Sequence, residues 1–144
     1  MRKKCRLPRL ARSPDAVDIQ IMIQFYWYPK CSTCLRAKKA LDQAGIEYLA
    51  IDITQKPPSE SSMQRWVSGG SVTVKQLINT SGQEYRKPAI KAAIQSALTR
   101  DPDSASVLQM LASNGRLIKR PILTDGQKAT VGFRDPAAIL TVWS

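Results

Sequence analysis

The first strongly apolar segment of the chain, residues 23–28, combines aromatic and β-branched side chains over the length of one β-strand. Pro29 ends this segment, and apolar positions then recur with a helical period up to Gly45, a natural helix terminator. The helical stripe consists of Cys34, Ala37, Leu41 and Ala44, with Ala40 beside it. Residues 47–53 return to strand character, so these segments predict a βαβ unit with parallel strands and a right-handed crossover.

The middle of the chain has mainly helical patterns. Ser59 follows two prolines and is expected to cap a helix. The apolar side of that helix comprises Met63, Trp66 and Val67. Residues 89–98 have apolar positions at helical spacing, and Asp103 is expected to cap a further helix that Asn114-Gly115 ends.

The C-terminal part has the pattern of a hairpin followed by a helix. Residues 120–123 and 129–133 flank Asp125-Gly126, a strong turn signal, and residues 135–143 can close the chain as a short helix. The complete order therefore predicts an α/β protein with a thioredoxin-like fold. In that fold a mixed four-stranded sheet carries a helical insertion between an N-terminal βαβ unit and a C-terminal ββα unit.

Composition indicates one domain with a basic extension. The chain has 144 residues, of which 43% are hydrophobic, enough for one core. We predict that residues 1–21 are a disordered extension, or the product of an upstream start-codon assignment, ahead of a single domain at 22–144; a basic tail that merely stays solvated is the alternative. No apolar run approaches the roughly 20 residues of a membrane span, and no signal peptide is evident, so we expect a cytoplasmic protein.

The formal net charge of +11 favours anionic partners, either small oxyanions or an acidic protein face. Part of the charge is concentrated in the first residues and the rest is scattered along the chain. No motif for stacking or reading bases is present, so direct nucleic-acid binding is not expected. Nothing in the pattern requires a dimer, and we expect a monomer.

Three cysteines and no histidine restrict the chemistry. Without histidine the chain cannot build a Cys/His zinc site, a Ser-His-Asp triad or a Cys-His nucleophile pair. Three thiols cannot fill a four-cysteine metal site within one chain. The remaining chemistry is that of thiols, in a reducing compartment.

Two of the cysteines form a C-x-x-C motif where the first predicted strand gives way to the helix. The positive end of the helix dipole and the adjacent Lys30 would stabilise a Cys31 thiolate, whose pKa could fall from about 8.5 toward roughly 3.5–7.5. Cys34, one turn later, can resolve a mixed disulfide formed on Cys31. The alternative is two buried residues that happen to be cysteines. Cys5 has no partner by spacing, and we interpret it as incidental.

Three motifs carry a resemblance to a known family. They are Tyr26-Trp27-Tyr28-Pro29-Lys30-Cys31-Ser32-Thr33-Cys34, Asn79-Thr80-Ser81-Gly82 and Lys119-Arg120-Pro121-Ile122. In this order and spacing they resemble the arsenate reductase (ArsC)/Spx family, specifically an ArsC-like branch with a C-x-x-C motif. The similarity runs from about Met22 to Leu140. It implies a thioredoxin-like core with a helical insertion, and a cis Pro121 that faces the cysteine loop.

The resemblance also implies site residues. In arsenate reductases of this class the first cysteine of the loop attacks arsenate and arginines hold the oxyanion, so Cys31 matches the nucleophile and Arg120 an oxyanion-binding arginine. Ser32 and Thr33 would lend backbone N–H groups and hydroxyls. A third arginine of the enzymes falls near Arg134. The alternative for Arg120 is an ordinary surface arginine.

The chain departs from the arsenate reductases at several positions. Asn79 stands where the enzymes carry an arginine, with Arg86 as a possible compensation, and Trp27 stands where they carry a histidine. Glutathione-dependent arsenate reductases also lack a cysteine at the Cys34 position. The C-x-x-C form is instead what Spx-type regulators carry, in which the disulfide senses oxidation and the protein binds the C-terminal domain of the RNA polymerase α subunit.

These observations lead to two hypotheses. The first is a thiol-dependent oxidoreductase of the arsenate reductase family, with Cys31 as nucleophile and Cys34 as resolving thiol. It would use no bound cofactor and no metal, and a thioredoxin- or glutathione-type donor would restore the dithiol. The second is a redox-sensing regulator that binds RNA polymerase. A redox-competent domain without a dedicated substrate is a third interpretation.

Overall fold

A computed structural model describes residues 22–143 of the chain. The predicted extension at 1–21, with Cys5, lies outside the described residues. The described residues include the C-x-x-C motif.

A mixed four-stranded sheet forms the centre of the fold. Its strands are β1 (Ile23–Trp27), β2 (Tyr48–Asp52), β3 (Ile122–Thr124) and β4 (Ala129–Val131), in the order β2-β1-β3-β4. β1 pairs in parallel with β2 and antiparallel with β3, and β3 pairs antiparallel with β4. The predicted βαβ and ββα units are thus confirmed, together with the thioredoxin-like fold.

Six α-helices surround this sheet in the described part of the chain. They are α1 (Ser32–Gln43), α2 (Glu60–Ser68), α3 (Gln83–Arg86), α4 (Pro88–Arg100), α5 (Ala105–Ser113) and α6 (Pro136–Trp143). Helix α1 connects the parallel strands, and α6 follows the hairpin. Helices α2 to α5 lie between β2 and β3, where the helical insertion was predicted.

The two faces of the sheet bury different cores, because successive side chains of a strand point to opposite faces. Phe25 packs on one face with Leu41 of α1 and Trp143 of α6. Tyr26 packs on the other face with Trp66 and further side chains of the insertion. The insertion therefore covers one face of the sheet, and helices α1 and α6 cover the other. The ends of the strands remain available for a site.

A short backbone ladder joins the insertion to the segment before β3. Ile78 and Ile118 form an isolated antiparallel bridge. The N–H of Asn79 donates to the carbonyl of Leu117 at 2.8 Å, and the N–H of Lys119 donates to the carbonyl of Leu77 at 2.7 Å. This ladder ends immediately before Arg120, so the insertion fixes the backbone that presents that arginine.

The local predictions hold at most helix ends, with three corrections. Ser59 caps α2 as predicted, but the cap of α5 is Ser104, whose hydroxyl accepts the N–H of Val107 at 3.3 Å. Asp103 is wrong as a cap because it is exposed in the preceding turn. Ala44 lies beyond the end of α1 and is exposed, so it does not belong to the buried stripe. Helix α3 is too short to leave a periodic pattern and was not predicted.

In the described residues no helix is both long and apolar enough to cross a membrane.

The substitution Gly115→Ala should destabilise the fold by about 3 kcal/mol, since an added methyl group meets a rigid backbone. An ideal Cβ at Gly115 would lie 1.8 Å from the carbonyl oxygen of Ile53. Gly45→Ala is the matched comparison. Its φ of +72° is strained for alanine, but no atom of the other described residues lies within 4 Å of the added Cβ, so we expect a cost of only about 1 kcal/mol. Urea unfolding of both variants measures the difference, and equal losses would contradict the close packing at Gly115.

Candidate dithiol active site

A tight turn carries the chain from the end of β1 into α1. The N–H of Cys31 donates to the carbonyl of Tyr28 at 2.9 Å, which closes a four-residue turn with Pro29 at its second position. Proline suits this position because its ring fixes φ, and it ends the strand. The turn therefore places Cys31 at the helix N-terminus, as the sequence predicts.

Cys31 is the N-cap residue of α1. Its sulfur accepts a hydrogen bond from the backbone N–H of Cys34 at 3.4 Å, so the thiol takes the place of the hydroxyl or carboxylate usual at this position. The N–H groups of Ser32 and Thr33 donate no hydrogen bond within residues 22–143. The helix thus presents backbone donors and the positive end of its dipole beside the sulfur.

The two thiols differ in exposure. Cys31 is half-buried, whereas Cys34 is 0% exposed and belongs to the buried stripe of α1. Both are free thiols. A reagent from solvent therefore reaches the Cys31 sulfur directly. The Cys34 thiol is shielded from solvent and reacts with a group that is already bonded to Cys31.

Their pKa values are displaced in opposite directions. Burial acts to raise the pKa of Cys31, but hydrogen bonds from the side chain and backbone of Cys34, together with the hydrogen bond and charge of Arg120, outweigh it and lower the pKa. Burial, followed by the hydrogen bond to Cys31, raises the pKa of Cys34 to about 12. One thiol is thus poised to ionise while its neighbour keeps its proton.

Arg120 reaches the site from the loop that precedes β3, and its peptide bond to Pro121 is cis. Its guanidinium lies 5.0 Å from the centroid of the Tyr28 ring. The Nε atom is buried without a hydrogen-bond acceptor, and within residues 22–143 Arg120 forms no ion pair. The guanidinium is therefore a cation without a carboxylate partner in the described residues, and its charge and hydrogen bonding act on Cys31.

The other predicted site residues lie in different surroundings. Ser32 is exposed and Thr33 is half-buried in the first turn of α1, next to both cysteines. Arg134 is exposed between β4 and α6, and its participation stays a prediction.

The positions that depart from the arsenate reductases have structural roles of their own. The side-chain amide of Asn79 donates to the carbonyl of Arg116 at 3.5 Å, which adds to the ladder before Arg120. Trp27 is half-buried and stacks on Phe25 with a centroid distance of 5.9 Å. Arg86 is exposed at the end of α3.

Tyr28 also belongs to the candidate site, which the sequence pattern did not indicate. In the structure its carbonyl anchors the turn to Cys31, its backbone acts on the Cys34 thiol, and its ring lies beneath Arg120. An aromatic residue three positions before the first cysteine is the signal that could have indicated it. The ring contact joins two distant segments, which no local pattern reveals.

Comparisons with known proteins show the family to which the chain belongs. The model of the ArsC family matches residues 26–141. The uncharacterised protein YusI of Bacillus subtilis is 42% identical over 113 residues, which are 78% of this chain and 92% of YusI.

One solved structure and one regulator extend the comparison. The crystal structure of a possible arsenate reductase from Streptococcus mutans UA159 matches with a TM-score of 0.71 at 40% identity, over 84% of this chain and 98% of that chain. The global transcriptional regulator Spx of Streptococcus agalactiae is 22% identical over 114 residues, which are 79% of this chain and 78% of that regulator.

Selective alkylation should reveal the difference between the two thiols. In a Cys5→Ser background we expect iodoacetamide to modify Cys31 at neutral pH, with a rate that falls as the pH drops through the lowered Cys31 pKa, because only the thiolate reacts. Cys34, with a pKa of about 12, should remain unmodified in the folded protein. Peptide mass spectrometry across pH measures both rates. Faster modification of Cys34 than of Cys31 would contradict the assignment.

Proposed function

The chain belongs to the ArsC family, and we propose that it is a thiol-dependent oxidoreductase whose nucleophile is Cys31 and whose resolving thiol is Cys34. The observation that carries the proposal is the asymmetry of the pair at the N-terminus of α1. The half-buried sulfur of Cys31 accepts the N–H of Cys34 at 3.4 Å, while the Cys34 thiol itself is 0% exposed. A thiolate needs this stabilisation to attack, and the second thiol needs protection until an intermediate has formed.

For a disulfide substrate the electrons balance as follows. The Cys31 thiolate attacks one sulfur, a Cys31–substrate disulfide forms, and the other half of the substrate leaves as a thiolate that takes a proton. Cys34 then loses its proton and attacks the Cys31 sulfur. The second thiolate leaves, so the substrate gains two electrons and the protein retains a Cys31–Cys34 disulfide.

The same residues accommodate arsenate. The Cys31 sulfur would displace one arsenate oxygen as water, and attack by Cys34 on that sulfur would leave an electron pair on arsenic, which departs as an As(III) oxyanion. In both versions the two thiols supply both electrons, so the mechanism uses no bound metal or flavin. We therefore propose a small oxyanion or an oxidised thiol as the substrate.

The raised pKa of Cys34 explains the order of the steps. Burial is the main reason for its high pKa of about 12, and the hydrogen bond and charge of Cys31 add to it. When Cys31 is bonded to substrate its negative charge is gone, so that contribution disappears. The backbone of Tyr28 acts to lower the pKa of Cys34. Formation of the intermediate thus favours ionisation of the resolving thiol.

Arg120 supplies the positive charge for an anionic group of the substrate. Its guanidinium has no carboxylate partner in the described residues, and it acts on Cys31 by both charge and hydrogen bonding. A guanidinium offers paired donors to an oxyanion or carboxylate. The free N–H groups of Ser32 and Thr33 would add donors on the helix side. We propose that a thioredoxin- or glutathione-type donor in the cytoplasm then reduces the disulfide.

Two single substitutions test the proposal. We expect Cys31→Ser to abolish reduction of arsenate and of low-molecular-weight disulfides, because the nucleophile is lost. Cys34→Ser should retain the first step and accumulate a mixed disulfide on Cys31, visible as an added mass in the intact protein. Cys5→Ser is the matched control and should keep full turnover. Full activity of Cys31→Ser would show that the mechanism is wrong.

The similarity to Spx favours a second candidate, a redox-sensing regulator that binds the C-terminal domain of the RNA polymerase α subunit. The chemistry at the pair would be the same, but the output would be a change in partner affinity. Leu35, directly after Cys34, is 48% exposed and would lie at such an interface. A pull-down with that domain, using reduced and oxidised protein, tests this function, and equal absence of binding in both states would remove it.

A further inference from the structure

The contact between Tyr28 and Arg120 bears on the reactivity of Cys31. We propose that Tyr28 is a positioning residue, whose ring holds the Arg120 guanidinium against the Cys31 sulfur and so tunes the nucleophile. The inference rests on the proposed role of Cys31. Its test does not require turnover, however, so a failure of this inference and a failure of the proposed function can be told apart.

Among the described residues Arg120 forms no ion pair, and besides its interaction with Cys31 its guanidinium contacts the ring of Tyr28. The only salt bridges among them are Lys38–Asp42 and Lys87–Glu84. The Nε atom of Arg120 is buried without an acceptor among residues 22–143. The ring of Tyr28, 5.0 Å from the guanidinium carbon, is within the range of a cation–π interaction.

The Tyr28 ring is itself held in place. It is half-buried and packs against the core beneath the insertion. Its backbone is held in the turn because its carbonyl accepts the N–H of Cys31 at 2.9 Å. Tyr28 and Cys31 therefore belong to the same turn. The position of the Tyr28 ring relative to the Cys31 sulfur does not depend on a distant loop.

Arg120 acts on the Cys31 sulfur by charge and hydrogen bonding. The groups that act on Cys31 are the thiol and N–H of Cys34 on α1 and the guanidinium of Arg120 on the loop before β3. Lys30 precedes Cys31 in the turn and is exposed. Loss of the ring would free the guanidinium to leave the site, and the stabilisation of the thiolate by charge and hydrogen bonding would weaken.

The experiment measures the pH dependence of Cys31 alkylation in the full chain, read on the peptide that contains Cys31. Tyr28→Leu should move the midpoint to higher pH and slow alkylation at pH 7 by about three- to tenfold, the range that corresponds to a partly desolvated cation–π contact. Tyr28→Phe should behave like the native protein, since it keeps the ring face. A structural role of the hydroxyl would instead make Tyr28→Phe resemble Tyr28→Leu, and that result would overturn the inference.

Replacement of Tyr28 by pentafluorophenylalanine tests the electrostatics without loss of packing. The ring keeps nearly the same size but its quadrupole is reversed, so it should repel the guanidinium and reproduce the effect of Tyr28→Leu. This measurement decides the question even if Tyr28→Leu does not fold. An unchanged midpoint for the fluorinated ring would overturn the inference.

Two further comparisons test whether the shift of the midpoint requires Arg120 and whether it reflects a general loss of stability. In an Arg120→Met background, Tyr28→Leu should cause no additional shift of the midpoint, and an undiminished shift would contradict a positioning role. Tyr48→Leu is the matched control. It removes another ring beneath a cation, with Lys38 at 5.9 Å, but that pair acts on neither cysteine, so the Cys31 profile should stay unchanged. A shift in this control equal to that of Tyr28→Leu would show a general effect of stability and overturn the inference.

Discussion

The hydrogen bond from the N–H of Cys34 to the sulfur of Cys31, 3.4 Å long, is the interaction on which the candidate site depends. It satisfies a backbone donor that the helix N-terminus would otherwise leave open, and it stabilises negative charge on the sulfur. The same contact brings the resolving thiol beside the nucleophile. One local geometry thus caps a helix, favours ionisation of one thiol and keeps its partner within reach.

The rest of the fold brings the arginine to this geometry. The antiparallel register of β1 and β3 pairs Tyr26 with Ile122, so the loop before β3 meets the turn after β1. On its other side, the ladder between Leu77–Asn79 and Leu117–Lys119 fixes that loop to the helical insertion. The insertion therefore has a direct structural connection to the candidate site.

Much of the fold was predictable because its signals are local. The aromatic run of β1, the apolar stripe of α1 and the Asp125-Gly126 turn each depend on residues close together in sequence. Errors occurred where neighbours compete, as at the cap of α5, where burial favours Ser104 over the equally suitable Asp103. At the site, the cysteine pair was evident from its spacing in the sequence. The contact between Tyr28 and Arg120 was not evident, because it depends on the register of the strands.

A titration of the full chain in a graded redox buffer tests the central claim most directly. Samples are quenched with acid at each potential and denatured, and mass-tagged alkylation then reports the state of Cys31 and Cys34, which share one tryptic peptide at residues 31–36. We predict a reversible two-electron transition in which both thiols of that peptide lose their reactivity together, whether Cys5 is present or replaced by serine. If both thiols remain alkylatable at every physiological potential, the pair is not redox-active, and both the reductase and the regulator are contradicted.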